Sequence, residues 1–173
     1  MDKFVPDIYA QSIYRINYDK LKKNGIKLVI FDLDNTIAPV DIKVSSNETF
    51  DLMLKIKDMG LKPIIMSNSK KERVLPFRNH LEIDSCYLSM KPLSKNYKKI
   101  MRIYDVKKEE VACIGDQLLT DIWGANKMGM TSILVNPISK KDGKWTFINR
   151  KIENIIIRIL EKKDLFKKGK YYD

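Results

Sequence analysis

Two aspartates, Asp32 and Asp34, directly follow the apolar run Leu28–Phe31. An uninterrupted run of apolar, β-prone residues predicts a strand that is buried on both faces, as in a parallel sheet. Residues two apart in an extended chain point to the same side, so both carboxylates can face one pocket. Because an unpaired carboxylate is costly to bury, the pair indicates a bound cation, a proton or a reaction at this place.

Polar residues also follow the later strand candidates. Ser67 and Asn68 come after the second apolar run, Lys91 lies in the loop after the third, and Asp116 and Asp121 follow the fourth. Because the carboxyl ends of parallel strands lie at one edge of a sheet, we expect a hydroxyl, a lysine and four carboxylates to converge there. Phosphoryl transfer uses such groups as nucleophile, acid, phosphate ligands and metal ligands.

Four carboxylates at one edge require a compensating cation. Two like charges about 4 Å apart repel by roughly 4 kcal/mol at an effective dielectric constant near 20. That repulsion is large beside a total domain stability of around 5–15 kcal/mol. A hard divalent cation with oxygen ligands removes it, and Mg²⁺ is the usual choice where a phosphate completes the coordination shell. Mg²⁺ is therefore the expected cofactor.

Strand-like and helix-like segments alternate along the chain. Strand candidates cover residues 27–32, 62–67, 85–88, 110–115 and 131–135, with helix candidates at 47–59, 70–80, 93–104 and 119–128 between them. This order predicts an α/β fold, a single doubly wound parallel sheet flanked by helices. One domain of residues 1–173 is expected, with a catalytic core of about residues 25–137. A helical segment after Pro6 and a basic C-terminal helix, capped by Asn149, are expected to flank it.

Composition restricts the class of protein. An apolar content of 44% and a charged content of 32% fit a soluble globular protein. Without an apolar run of about 18 residues, neither a membrane span nor a signal peptide is expected. The only cysteines are Cys86 and Cys113, so a disulfide framework is not expected either. A reducing cytoplasm is the expected setting.

The net charge of +11 is concentrated toward the C-terminus. From Lys140 onward there are 11 basic and 5 acidic residues, with aromatic residues at positions 145, 147, 171 and 172. Such a tail can bind anionic lipid or nucleic acid, or it can serve solubility alone. The interspersed acids favour solubility, and the other two partners stay open as alternatives.

Two other kinds of aspartate-based site share part of this pattern. A calcium loop of the EF-hand type needs Gly at its sixth position and Glu at its twelfth, where this chain has Ile37 and Lys43. A phospho-accepting receiver domain would carry its phosphorylated aspartate on a middle strand and its lysine on the last. Here Asp32 follows the first core strand and an acidic pair follows the fourth, so neither alternative fits.

Four motifs occur in order at the predicted strand ends: DLDNT, SNS, KP and GDQLLTD. Together they resemble the motif set of the haloacid dehalogenase (HAD) superfamily of phosphatases, and the resemblance spans about residues 27–135. It implies that Asp32 attacks phosphorus and becomes an aspartyl-phosphate. It also implies that Asp34 protonates the leaving group, then activates water, and binds Mg²⁺ through its main-chain carbonyl. In this family an aspartate at the position of Asp34 favours phosphatase over dehalogenase chemistry.

The same resemblance implies the binding residues. Ser67 and Lys91 would hold the transferring phosphate, and Asn68 would either donate to the phosphate or shape the turn. Asp116 and Asp121 would complete the metal site together with the first motif.

Enzymes of the HAD superfamily often carry a cap domain after the first motif or before the third. The two gaps in this chain have room only for a helix with loops, and for a helix with a short strand, so we expect an open site. The capless form, with Pro6-Asp7-x-Tyr9 and Gly25-Ile26-Lys27, resembles subfamily IIIA, the YqeG-like group. That group is similar to the phosphatidylglycerophosphate phosphatases.

The sequence therefore predicts a cytoplasmic, Mg²⁺-dependent phosphomonoester hydrolase. The expected substrate is the phosphorylated head group of the lipid phosphatidylglycerophosphate, with peripheral contact at the inner face of an anionic membrane. One alternative is a phosphatase of a soluble metabolite or a macromolecule. The other is a basic RNA- or ribonucleoprotein-binding module on the same scaffold. Nucleic acid is the less favoured partner, because a pure binder has no need of the catalytic set.

Overall fold

The computed structural model describes residues 1–141 and 144–173, without the side chains of 144–148. Any contact of Trp145 or Phe147 with a membrane therefore lies outside the described residues. Within them, six parallel strands form one sheet in the order β1-β6-β5-β2-β3-β4. The strands are β1 (Ile8–Ala10), β2 (Leu28–Phe31), β3 (Lys62–Met66), β4 (Asp84–Cys86), β5 (Val111–Gly115) and β6 (Thr131–Val135).

Helices cover both faces of this sheet. They are α1 (Tyr18–Lys23), α2 (Asn47–Asp58), α3 (Lys71–Leu81), α4 (Ser94–Tyr104), α5 (Trp123–Met128) and α6 (Lys144–Lys162). Alternate residues of β2 face opposite sides: Val29 and Phe31 pack with α1, α2 and α3, whereas Leu28 and Ile30 pack with α4 and α5. Burial on both faces explains the unbroken apolar run, and each such side chain contributes about 1.5–3 kcal/mol. The predicted doubly wound α/β fold is confirmed.

The segment after Pro6 differs from its prediction. A helix was expected there, but Ile8–Ala10 is an edge strand that pairs with residues Ile133 to Val135 of β6. Three residues are too few for helical and extended spacing to be told apart, and the pairing with β6 decides the conformation. Tyr172 also forms an antiparallel bridge with Tyr9, so the C-terminus covers part of this edge.

The C-terminal helix also departs from expectation. It begins at Lys144, so Asn149 lies inside α6 and does not cap it. Ile156 and Leu160 are buried against the protein, whereas the neighbouring Ile152 and Ile155 are exposed. One face of α6 covers the protein, and a second apolar face has no partner in the described residues.

A cap domain would be inserted in the connections that leave the carboxyl ends of β2 and β3. Between β2 and β3 the described chain holds turns, a loop and α2, and between β3 and β4 it holds α3. No cap lies over this edge in either described segment. No helix of residues 1–141 and 144–173 has the length and apolarity needed to span a bilayer. Cys86 and Cys113 are both free thiols.

Candidate active site

Three buried aspartates meet at the carboxyl ends of β2 and β5. Asp32 directly follows β2, Asp116 follows β5, and Asp121 lies in a π-helical turn, Leu118–Ile122, just beyond. One carboxylate oxygen of each lies within 4.8 Å of the others. The exposed fractions are only 7%, 4% and 3%, so water cannot screen the mutual repulsion of these groups.

Lys91 lies between two of these carboxylates. Its Nζ donates to Asp32 Oδ1 at 2.6 Å and to Asp121 Oδ1 at 2.7 Å, and its side chain is 4% exposed. The loop after β4 therefore delivers its ammonium group to the ends of β2 and β5. Because water is excluded, the Coulomb attraction between these charges is stronger than in the same contacts at a surface, and it offsets part of the cost of burying them.

Burial and neighbouring charges shift the pKa values of Asp32, Asp116 and Lys91. Burial raises the pKa of Asp32 to about 7, although the Lys91 ammonium acts in the opposite direction. It raises the pKa of Asp116 well above its usual range, against the effect of the Arg150 guanidinium. Burial alone would lower the pKa of Lys91, but the carboxylates of Asp121 and Asp32 outweigh it and raise that pKa. The lysine thus stays charged, and its single positive charge does not fully neutralise the neighbouring carboxylates.

A glycine allows Asp121 to enter the cluster. The π-helical turn bonds Ile122 N to Gln117 O at 3.2 Å, and Gln117 N donates to Asp121 Oδ2 at 3.1 Å. The Asp121 side chain then lies directly over Gly115, the last residue of β5, where a Cβ atom would overlap the carboxyl group. Single π-helical turns are rare, and they occur frequently at functional sites.

We predict that Gly115→Ala displaces Asp121. Metal affinity should fall by about 10–100-fold, the range for altered support around a ligand. Isothermal titration with Mg²⁺ measures it. Gly169→Ala is the matched control: an alanine is strained at the φ of +85° found there, but no described atom lies within 4 Å of the added Cβ. It should lower thermal stability and leave the affinity unchanged; equal affinities in all three proteins would contradict the role of Gly115.

Asp34 lies beside the acidic cluster and faces a different set of partners. Its side chain is 25% exposed. Ser69 Oγ donates to Asp34 Oδ2 at 2.6 Å, and Arg73 Nε donates to Asp34 Oδ1 at 2.9 Å. The Arg73 guanidinium also donates to the carbonyls of Ile42 and Pro39. It therefore joins the carboxyl group to the loop that follows β2.

Arg73 was not among the predicted site residues. It lies in the first turn of α3, beyond the strand end at which the sequence pattern indicated chemistry. The sequence signal was present but weak: a basic residue within one helical turn of the Ser67-Asn68-Ser69 segment.

Ser67 and Asn68 lie at the end of β3, as expected. Ser67 is 1% exposed, and its Oγ accepts from Ser69 N at 3.1 Å. The Asn68 side chain bonds to the loop that carries Lys91: Oδ1 accepts from Lys91 N at 2.7 Å and from Ser89 Oγ at 2.8 Å. Its Nδ2 donates to Lys91 O at 3.2 Å. The Asn68 amide therefore links the end of β3 to the loop that carries Lys91.

Residues of α6 reach the same cluster. Arg150 forms an ion pair with the Asp116 carboxylate and donates to its main-chain oxygen at 2.9 Å. Glu153, 3% exposed, accepts from Arg150 Nη1 at 3.2 Å and from Leu119 N at 3.0 Å. On the other side, Thr36 Oγ1 lies 3.4 Å from Asp116 Oδ1. The contacts from α6 were not predicted, since the predicted site residues all follow β2, β3, β4 or β5, whereas α6 follows β6.

The carboxylates of Asp32, Asp116 and Asp121 fit a divalent metal ion. They are buried oxygen ligands, close together, at the edge where open α/β sheets bind their ligands. The raised pKa values of Asp32 and Asp116 indicate that Lys91 and Arg150 only partly compensate their charge. A hard divalent cation would complete that compensation.

Comparison with known proteins finds related phosphatases. The family model described as HAD-hydrolase-like matches residues 90–142. Probable phosphatase YqeG of Bacillus subtilis (strain 168) is 37% identical over 160 residues, which is 92% of this chain and 93% of YqeG. Phosphatidylglycerophosphate phosphatase 1 (chloroplastic/mitochondrial) of Arabidopsis thaliana is 22% identical over 170 residues, covering 91% of this chain and 47% of that protein.

A solved structure shows the same fold. The cobalt-bound deoxy-D-mannose-octulosonate 8-phosphate phosphatase (YrbI) of Haemophilus influenzae is 17% identical, with a TM-score of 0.53. The match covers 86% of this chain and 96% of that one. Since the likeness to YqeG extends over nearly all of both chains, the resemblance inferred from the four motifs is confirmed: this chain belongs to the HAD superfamily, in the group of phosphatases that includes YqeG.

Proposed function

We propose that this phosphoric monoester hydrolase works through an aspartyl-phosphate on Asp32 and uses Mg²⁺. The buried cluster of Asp32, Asp116 and Asp121, with the Lys91 ammonium inside it, carries the proposal. These three carboxylates and the main-chain carbonyl of Asp34 would hold the ion. When bound, Mg²⁺ would shield the negative substrate from the negative nucleophile.

The proposed reaction has two steps that use the same two carboxyl groups. First, a carboxylate oxygen of Asp32 bonds to phosphorus as the bond from phosphorus to the ester oxygen breaks, and Asp34 gives its proton to the departing oxygen. Then Asp34 takes a proton from water, whose oxygen bonds to phosphorus as the bond to Asp32 breaks. Inorganic phosphate leaves, and Asp32 is regenerated.

The surrounding side chains position these groups. Ser69 and Arg73 bond to both oxygens of Asp34, so they fix the carboxyl group that moves both protons. Ser67 and Lys91 are the proposed phosphate ligands. We assign Asn68 to holding the Lys91 loop in place, since both its amide nitrogen and its amide oxygen bond to the main chain of Lys91.

Phosphatidylglycerophosphate is the proposed substrate. No cap domain lies over the site in the described residues, which suits a head group that stays attached to a membrane. The relative from Arabidopsis thaliana carries the name of that activity, although this chain spans only about half of it.

We expect phosphatidylglycerophosphate in mixed micelles to be hydrolysed with a kcat/KM at least about tenfold above that of soluble sugar phosphates, because contacts away from the phosphate add transition-state binding. Phosphate release in the presence of Mg²⁺ measures both rates, and phosphatidic acid in the same micelles is the matched lipid control. Equal rates for lipid and soluble esters would contradict the proposed lipid substrate but not the proposed chemistry. No release from any ester would contradict the proposed chemistry.

A further inference from the structure

Exposed apolar side chains surround the candidate active site on three separate loops. Each loop leaves the carboxyl end of a parallel strand, and the side chains are 46% to 62% exposed. We call this set the apolar rim: Ile42, Val44, Leu88, Met90, Leu93 and Ile138. Single exposed apolar residues are ordinary, but a group around one site marks an interaction surface.

Two residues of the apolar rim are held in a conformation that bulky side chains rarely adopt. Leu88 and Met90 have φ angles of +47° and +56°. Their backbone is fixed by the bond from Leu88 N to Ser69 O at 2.9 Å and by the bond from Lys91 N to Asn68 at 2.7 Å. The loop that delivers Lys91 to the carboxylates thus also places two apolar side chains in solvent, at a cost in backbone strain.

The other side of the apolar rim lines a groove. Ile42, Val44 and Ile138 border a volume of about 1030 Å³. The groove is joined to the turn that carries Asp34, because Ile138 N donates to Asn35 O at 2.9 Å. An apolar surface therefore lies beside the candidate acid and base as well as beside Lys91.

The loops that carry the rim are basic. In the described residues of these loops the exposed charges are three lysines, Lys43, Lys140 and Lys141, and one aspartate, Asp41. The adjoining starts of α2, α3 and α4 add the exposed Lys70, Lys71 and Lys95 and the exposed Glu48 and Glu72, so the whole set keeps a net positive charge. The aspartate pairs with Lys141 at 2.7 Å. Lysines around exposed aliphatic side chains complement an anionic lipid surface, where the cations meet head groups and the apolar groups enter the acyl boundary.

We propose that the apolar rim docks this protein on an anionic bilayer, with the active-site edge facing the membrane. The inference rests on the proposed function, since it places the site against a lipid head group. A polyanion such as RNA would satisfy the lysines equally well. It would leave the aliphatic side chains in water, so the bilayer is the favoured partner.

Flotation with vesicles of phosphatidylglycerol and phosphatidylcholine tests the docking surface. Leu88→Asn combined with Met90→Asn removes two apolar groups, and asparagine tolerates positive φ, so the loop should keep its shape. The matched control is Ile103→Asn, 61% exposed and about 14 Å along α4 from its rim-side start. We expect wild type and control to bind alike, and the double variant to bind at least about tenfold more weakly.

Equal binding by the double variant, or equal wild-type binding to pure phosphatidylcholine vesicles, would overturn the proposal. A short RNA could also displace the wild-type protein from the vesicles. If that RNA binds the wild type and the double variant equally well, the proposal would likewise be overturned. Hydrolysis of a soluble aryl phosphate should be the same in all three proteins. Its absence from the wild type would contradict the proposed function, whereas the vesicle result is measured without any turnover.

Discussion

Asp32→Asn should lower kcat by about 10⁴-fold or more, the usual scale for loss of a covalent nucleophile. Asparagine has nearly the shape of aspartate, and its carbonyl can still accept the bond from Lys91 Nζ. The amide is not nucleophilic enough to form an acyl phosphate, so the substitution removes the chemical step and leaves folding intact. Thermal unfolding should therefore remain cooperative while phosphate release disappears.

Trapping the phosphoenzyme separates this role from a structural one. With an aryl phosphate the leaving group departs without an acid, so Asp34→Asn should still be phosphorylated but should release phosphate slowly. Acid quenching and mass spectrometry should then find one phosphoryl group on the peptide that contains Asp32. The Asp32→Asn protein should carry none. A labelled Asp32→Asn protein, or one that keeps a tenth of wild-type activity, would rule out the proposed nucleophile.

The parts of the fold that were predictable are those with a strong local signal. Leu28–Phe31 is apolar at every position because both of its faces are buried, so the strand and its exit point could be predicted from the residues alone. Strand β1 gives no such signal. Its conformation depends on β6, and the bond between Ser132 and Asp7 joins positions 125 residues apart.

The same distinction applies to the candidate site. Residues that leave strand ends, such as Asp32 and Asp116, are brought together by the topology of a parallel sheet, which the order of the elements indicates. Arg73 and Arg150 enter from helices, and their partners are 39 and 34 residues away in sequence. Which helical residue reaches the site depends on how each helix packs on the sheet, and local periodicity does not contain that information.

Lys91→Met should destabilise the metal-free protein more than the Mg²⁺-bound protein. In the metal-free cluster, Lys91 is the cation between Asp32 and Asp121, with a side chain that is 4% exposed. Removing one partner of a buried ion pair costs about 3–5 kcal/mol, which corresponds to about 10 °C in Tm for a chain of this size. Activity should also fall by about 10²–10³-fold, because a donor to the transferring phosphate is lost.

Mg²⁺ provides the test of this electrostatic account. A ligand that binds only the folded state stabilises it, and the carboxylates freed from Lys91 should bind the ion more tightly. The rise in Tm on adding Mg²⁺ should therefore be larger in Lys91→Met than in wild type. Lys57→Met is the matched control, since Lys57 Nζ donates to the carbonyls of Leu81 and Glu82 and lies outside the acidic cluster. Its rise in Tm on adding Mg²⁺ should equal that of wild type. If the rise in Lys91→Met is also equal to that of wild type, the lysine and the metal do not neutralise the same carboxylates.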